Sequence, residues 1–339
     1  MQTIFLNSAE LDQAVAYLKS GQVVAFPTET VYGLGADATN EEAVKKIFEA
    51  KGRPNDNPLI IHISNIDQLE RYVQYIPDVA KTVMEHFWPG PCTLILKKKG
   101  PIAPSVTGGL DTIGVRMPDH PVALELIEKA GIPLAAPSAN SSGKPSPTTA
   151  LHVKKDLDGK IQAIVDGGAT GVGLESTVLD LTDPERPTIL RPGGVTSEEL
   201  EEVLGKVWMD AHLSDASVGP KSPGMKYKHY SPEKPVWILP ASLEQTREVM
   251  DQLEKSGEKI GFLVSDEWFE QLSNKNRKGH TLGEKKNPQQ AAARLFSSLR
   301  ALDEEEVSLI LVEPYSKVGI GTAYMNRLEK AASRIVGIS

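Results

Sequence analysis

The chain has 339 residues, 40% hydrophobic and 24% charged, and carries a formal net charge of −8 at pH 7. It has the composition of an ordinary globular protein, and it is longer than one hydrophobic core usually serves, so two domains are expected. The acidity argues against a protein that coats DNA or membranes, while leaving room for a local basic cleft, and the single cysteine, Cys92, excludes an intrachain disulfide or a cysteine-rich zinc site.

The first segment, MQTIFLNSAELDQAV, lacks the basic start, apolar core and cleavage site of a targeting signal, and no apolar run is long enough to cross a bilayer. A cytoplasmic location is therefore expected. QVVAF at 22–26 reads as a buried strand ending at Pro27, and PTETVYGLGADATN as a loop. Asn40 then caps a helix that opens on Glu41 and Glu42, buries Ala43, Val44, Ile47 and Phe48, and is stopped by Gly52 and Pro54. Strands are predicted at 59–63, 93–96, 112–116, 133–136, 163–166, 176–181 and 187–191, the last two as a hairpin. Helices are predicted at 66–76, 78–87, 120–130 and 197–205, with Ser197 as the cap of the last. Cys92 reads as a small buried hydrophobe in a strand. The mixture points to an α/β fold with an open, twisted mixed sheet.

Near residue 214 the composition turns to Ser, Pro, Gly and Lys without apolar periodicity, which marks a linker over 214–235 between a domain at 1–213 and one at 236–339. Beyond it strands (236–239, 260–264, 307–312) alternate with helices (243–256, 287–303, 322–333), the rhythm of a small α/β domain with a parallel sheet. In the linker, SPGMKYKHYSP places Tyr227 and Tyr230 among basic residues, and we expect this segment to fold over the first domain's cleft as a lid.

Three stretches carry chemistry. PTETVYGLG offers Thr28, Thr30 and Tyr32 at a strand end, where α/β proteins place ligands, although Gly33 and Gly35 read first as turn residues. In KGRPNDNP, Lys51 suits the C-terminus of its helix, but Arg53 lies past the helix stop, and two cations two residues apart in a bend suit phosphate. PLAAPSANSSGKPSPTT repeats the first pattern: an apolar strand, a proline, then Ser138 and Asn140, which also suit a cap or turn.

KGR at 51–53 with SAN at 138–140 resembles the KxR…SxN signature of the YrdC/Sua5 family, and PTETVYGLG, GVRMP, ANSSGKPSPT, GLESTV and SPGMKYKHYSP resemble its surrounding blocks. The resemblance implies a YrdC-like domain followed by a smaller Rossmann-like three-layer α/β domain. It implies synthesis of L-threonylcarbamoyladenylate and pyrophosphate from L-threonine, bicarbonate or CO2, and ATP. Other proteins then transfer the activated group to tRNA position 37, so a weak tRNA contact is among the expected partnerships. By the same likeness Lys51 and Arg53 face the phosphates as catalytic cations, and Ser138, Asn140, Ser146 and Arg191 line the nucleotide site. Thr28, Tyr32, His62, Arg116 and Ser176 surround threonine and its carbamate, with Arg116 on the amino-acid carboxylate. Mg²⁺ is expected on the ATP phosphates and not in a protein cage. Arg191 also reads as a strand-end surface charge, and His62 as a hydrogen-bonding group or a base. Replacement of Lys51 or Arg53 by alanine is expected to depress turnover with the fold intact. Two alternatives stay open: a non-enzymatic RNA-binding module, and another carbamoyl-adenylate-forming enzyme.

Overall fold

The structure, a computed structural model, describes residues 2–54, 57–210 and 230–336. Most of the segment expected to act as a lid lies outside the described residues. The chain divides into two compact units, Met1–Ser142 with Ser146–Tyr227, and Gly143–Pro145 with Lys228–Ser339.

The first unit is built on an eleven-stranded mixed sheet. From edge to edge the strands are Ile4–Asn7, Ala163–Asp166, Val24–Phe26, Gly33–Asp37, Leu134–Ala135, Ile60–His62, Thr112–Arg116, Cys92–Lys97, Thr177–Asp180, Thr188–Arg191 and Trp208–Met209. The hairpin predicted near 176–191 is present as an antiparallel pair of Thr177–Asp180 with Thr188–Arg191.

Side chains alternate across a strand, so each strand serves two faces. Ile61, Leu94, Leu96, Val115, Leu179 and Ile189 enter the main core with the apolar stripes of the helices Glu41–Lys51, Asp78–Phe87, Ala150–Leu157 and Ser197–Leu204. On the other face, the helices Leu11–Lys19 and Pro121–Ala130 bury Leu11, Leu18, Leu126 and Ile127 against Val24, Phe26 and Val165. The remaining strands have only a small apolar patch on that face, Ile60, Ile95, Val178 and Leu190. His62 and Arg116 share the parity of Ile60, Thr93 that of Ile95, and Ser176 that of Val178.

The helix Glu41–Lys51 shows how local sequence positions the site. Asn40 accepts from the N–H groups of Glu42 and Ala43, and Gly52 closes the other end with φ 60°. Gly52 N–H bonds to Glu49 O and Arg53 N–H to Phe48 O, a Schellman motif that needs the left-handed residue glycine supplies. Arg53 is thereby turned off the helix axis immediately after Lys51.

Four expectations need correction. Residues 33–37 are a strand, not a loop, paired antiparallel with Val24–Phe26. Gly33 and Gly35 make room for a side chain and mark no turn: a Cβ on Gly35 would sit 2.7 Å from the Phe26 ring. The segment predicted as a helix at 66–76 is a short 3₁₀ turn, Ile66–Arg71. The helix at 197 is capped by Thr196, which forms a reciprocal capping box with Glu199; Ser197 is the first helical residue.

The second unit has a five-stranded parallel sheet in the order Lys278–Thr281, Ile260–Val264, Leu309–Val312, Val236–Ile238, Arg334–Ile335. One core of this unit contains Met250, Phe262, Val264 and Leu311, and the helix Pro288–Glu304 has Pro288 in its first turn, as the sequence predicts. Among the described residues no helix is long and apolar enough to cross a membrane.

Candidate active site

The loop 27–32 is the hub of the site, because its backbone is bonded to two other motif-bearing segments. Tyr32 N–H donates to Pro147 O, Ala139 N–H to Tyr32 O and Leu34 N–H to Pro137 O, which fastens PTETVYGLG to PSANSSGKPSP. Val172 N–H donates to Glu29 O and Gly173 N–H to Thr30 O, which brings in GLESTV.

Lys51 joins this assembly from the helix side. Its side chain is buried, and its ammonium donates to the carbonyls of Ser138 at 2.5 Å and Asn140 at 2.7 Å, while Ser142 N–H returns to Lys51 O. Within the same loop Ser138 Oγ donates to Asn140 Oδ1 at 2.6 Å. The two signature motifs, 87 positions apart at Lys51 and Ser138, are thus in direct contact. Arg53 is half-buried, with Nη2 donating to Asn57 O at 3.4 Å and Pro58 O at 3.3 Å. Beside it Asn57 is fully buried, yet both polar atoms of its side-chain amide have no hydrogen-bond partner.

A polar row crosses the ends of adjacent strands. His62 and Arg116 are register partners in the parallel pair Ile60–His62 and Thr112–Arg116. Arg116 is buried, donates to Thr30 Oγ1 at 3.0 Å and to Gly90 O at 3.3 Å, and lies 2.6 Å from Glu29 Oε2 as an ion pair without hydrogen-bond alignment. Burial, and next the positive charge of Arg116, push His62 down to about 3 from its ordinary 6.5, so the imidazole is neutral at physiological pH. Burial likewise pushes the Cys92 thiol up to about 12, which fits an inert strand residue.

Further along the row, Thr93 Oγ1 and Ser176 Oγ are 2.8 Å apart, and Arg191 holds Ser176 by its carbonyl (Nε 3.1 Å, Nη2 2.9 Å) and its hydroxyl (3.2 Å). Arg191 is buried, which overturns the reading as a surface charge. A register shift between Ile189 and Arg191 sets Arg191 opposite Val178 and so decides which face it joins. In a regular strand Arg191 would follow Ile189 into the apolar core; the bulge turns it to the open face. Ser146 Oγ donates to Glu175 Oε1 at 2.5 Å, both residues buried.

Known proteins are similar to this chain in sequence and fold. The family model described as "Telomere recombination", named for Sua5, YciO and YrdC, matches residues 16–193, and the model "Threonylcarbamoyl-AMP synthase, C-terminal domain" matches 195–333. The chain belongs to the Sua5/YciO/YrdC family. The threonylcarbamoyl-AMP synthase of Bacillus subtilis is 51% identical over 327 residues, covering 96% of this chain and 94% of that protein. The Pyrococcus abyssi threonylcarbamoyl-AMP synthase is 46% identical over 336 residues, covering 96% and 95%. The crystal structure of P. abyssi Sua5 complexed with L-threonine superposes with a TM-score of 0.93 at 45% identity, covering 99% of this chain and all of the other.

Two of the residues expected to contact substrate are engaged inside the protein. Thr28 Oγ1 donates to Val31 O at 2.6 Å and lies 2.8 Å from Thr30 Oγ1, so it shapes the turn and leaves Thr30 to meet Arg116. Tyr32 is fully buried; its hydroxyl donates to Gly168 O at 2.7 Å and accepts from Gly167 N–H at 3.2 Å. Tyr32 therefore braces the wall. Glu29, Asn57, Thr93 and Glu175 were not singled out from sequence. Glu29 alone carried a signal, as an acid between two threonines at a strand end.

Proposed function

We infer that this chain makes L-threonylcarbamoyladenylate and pyrophosphate from L-threonine, bicarbonate or CO2, and ATP, in the biosynthesis of N6-threonylcarbamoyladenosine in tRNA. The observation that carries this reading is the direct bond of Lys51 to the Ser138–Asn140 loop, in a chain alike end to end with a relative crystallised with L-threonine. The threonine ammonium gives up a proton to solvent, the free amine adds to CO2 with loss of a second proton to give a carbamate, and a carbamate oxygen attacks the α-phosphorus of ATP, expelling pyrophosphate. Charge gathers on the phosphoryl oxygens, so the protein's work is positioning and electrostatics.

Arg53 presents its guanidinium to the phosphates, beside the buried amide of Asn57, which has no hydrogen-bond partner. Lys51 adds its charge and fixes the loop that forms the opposing wall, where Ser138 and Asn140 bind nucleotide. Ser146 and Arg191 extend that wall. Threonine lies along the row of Arg116, His62 and Ser176, its carboxylate on Arg116, with Thr28 and Tyr32 holding the surrounding loop. Magnesium enters on the triphosphate; among the described residues no three acidic, histidine or cysteine side chains gather into a cage. Partner proteins that move the threonylcarbamoyl group to tRNA receive the product.

Incubation of the full chain with ATP, Mg²⁺, ¹³C-bicarbonate and single amino acids, followed by mass spectrometry, tests the reading. A threonine-dependent adenylate carrying the labelled carbon is expected. Its absence, with tRNA bound and no ATP consumed, would mean an RNA-binding module instead.

A further inference from the structure

Glu29 combines two features that seldom coexist. Its side chain is 13% exposed, and both carboxylate oxygens are sealed from solvent without a hydrogen bond, whereas buried carboxylates ordinarily accept several. Its ion-pair partner is Arg116, 2.6 Å away through Nη2, and the imidazole of His120 also lies within its electrostatic reach. Arg116 in turn uses Nε on Gly90 O and Nη2 on Thr30 Oγ1. Among the described residues its Nη1 makes no hydrogen bond, and that atom is not sealed from solvent. An anion-binding edge and a bare carboxylate oxygen thus stand side by side.

We propose that Glu29 turns a carboxylate oxygen out of its sealed position as substrate enters, binds the ammonium of the amino acid, and makes the site selective for zwitterions. The proposal rests on the reading of this cleft as the threonine site. Without ligand, Glu29 and Arg116 neutralise one another. An α-amino acid is neutral overall, and its carboxylate and ammonium each find an opposite charge, so the buried site stays balanced. A carboxylate ligand without the amine brings a net negative charge into a poorly solvated site and leaves Glu29 Oε1 bare. Discrimination of this kind comes as much from the group left unpaired as from the bond that forms.

Calorimetric titration of the full chain with L-threonine and with 2,3-dihydroxybutanoate, in which a hydroxyl replaces the amine, reads this directly and needs no turnover. The intact chain is expected to prefer threonine by at least about tenfold, and Glu29→Gln to lose about 10–100-fold in threonine affinity, the scale of a hydrogen bond to a charged group. Binding of 2,3-dihydroxybutanoate should not weaken. Glu29→Asp, which keeps the charge, should retain the preference. Equal weakening of both ligands in Glu29→Gln, or no weakening of either, would reduce Glu29 to a structural partner of Arg116 and overturn the proposal. If Glu29→Gln does not fold, the intact chain still decides: equal affinity for the two ligands overturns it. If the intact chain binds no threonine at all, the threonine-site reading fails as well, a different result from threonine binding with unchanged discrimination.

Discussion

The ammonium of Lys51 bridges two carbonyls of one loop, Ser138 O at 2.5 Å and Asn140 O at 2.7 Å, and so ties the end of a helix to the second signature motif. Both carbonyls accept from that buried ammonium. Contrary to the sequence-based expectation of an intact fold, Lys51→Ala should cost stability as well as activity, about 1–3 kcal/mol for each buried acceptor left unsatisfied. Urea denaturation measures the first and adenylate formation the second. A variant inactive at unchanged midpoint would contradict the bracing role.

Arg53 should separate from Lys51 in the same experiment. It is half-buried past the helix stop, and its bonds to Pro58 O and Asn57 O are long, 3.3 and 3.4 Å. Arg53→Ala is therefore expected to shift the urea midpoint little. Its turnover should fall by about two to three orders of magnitude, the scale of one preorganised donor in a transition state, about 2–4 kcal/mol. Full turnover in Arg53→Ala would remove Arg53 from the phosphates.

Much of this architecture was legible because its signals are local. Ala163–Asp166 and Ile260–Val264 occur with the predicted bounds, each a short apolar run between clear stops. The helix Glu41–Lys51 announces itself by its cap, its stripe and Gly52. What escaped was set by tertiary partners. Gly33–Asp37 has little intrinsic strand character, and it becomes a strand because Phe26 needs the space that Gly35 leaves empty. The helix Leu11–Lys19 was not predicted, although its buried Leu11, Ala14, Val15 and Leu18 fall at helical spacing. Within the site, the KGR and SAN motifs were readable as types. That Arg191 would meet Ser176 instead of following Ile189 into the main core depended on a bulge that no spacing rule shows.

Gly193 offers a sharper test of the packing than Gly35. A Cβ at Gly193 would lie 2.2 Å from Thr177 N and 2.4 Å from Glu175 O, both backbone atoms next to Ser176. At Gly35 the obstacle is the edge of one ring at 2.7 Å. Gly35→Ala should cost about 1–3 kcal/mol by overpacking, and Gly193→Ala more, because two backbone segments must part. Gly193→Ala should also weaken ATP and threonine binding, since Ser176 and Arg191 move with those segments. Equal melting temperatures for the two variants would show that the GLEST segment yields easily.

His62 gives the protein a predictable weakness in acid. In the folded chain burial and Arg116 hold its imidazole down to about 3, against 6.5 when unburied. Between these values the unfolded chain binds a proton that the folded chain refuses, so stability is present above about pH 6.5 and drains away as pH falls towards 3. The loss from this one group is on the order of a few kcal/mol, at about 1.4 kcal/mol per pH unit. His62→Gln should unfold with a shallower acid slope than the intact chain in urea titrations at pH 7, 6, 5 and 4, whatever its stability at pH 7. The same depression would make His62 a poor proton acceptor for a threonine ammonium and argues for a hydrogen-bonding role. The pH profile of kcat/KM should accordingly keep its shape near pH 6.5 in His62→Gln while KM for threonine rises. A break near pH 6.5 that disappears in the variant would restore His62 as the base.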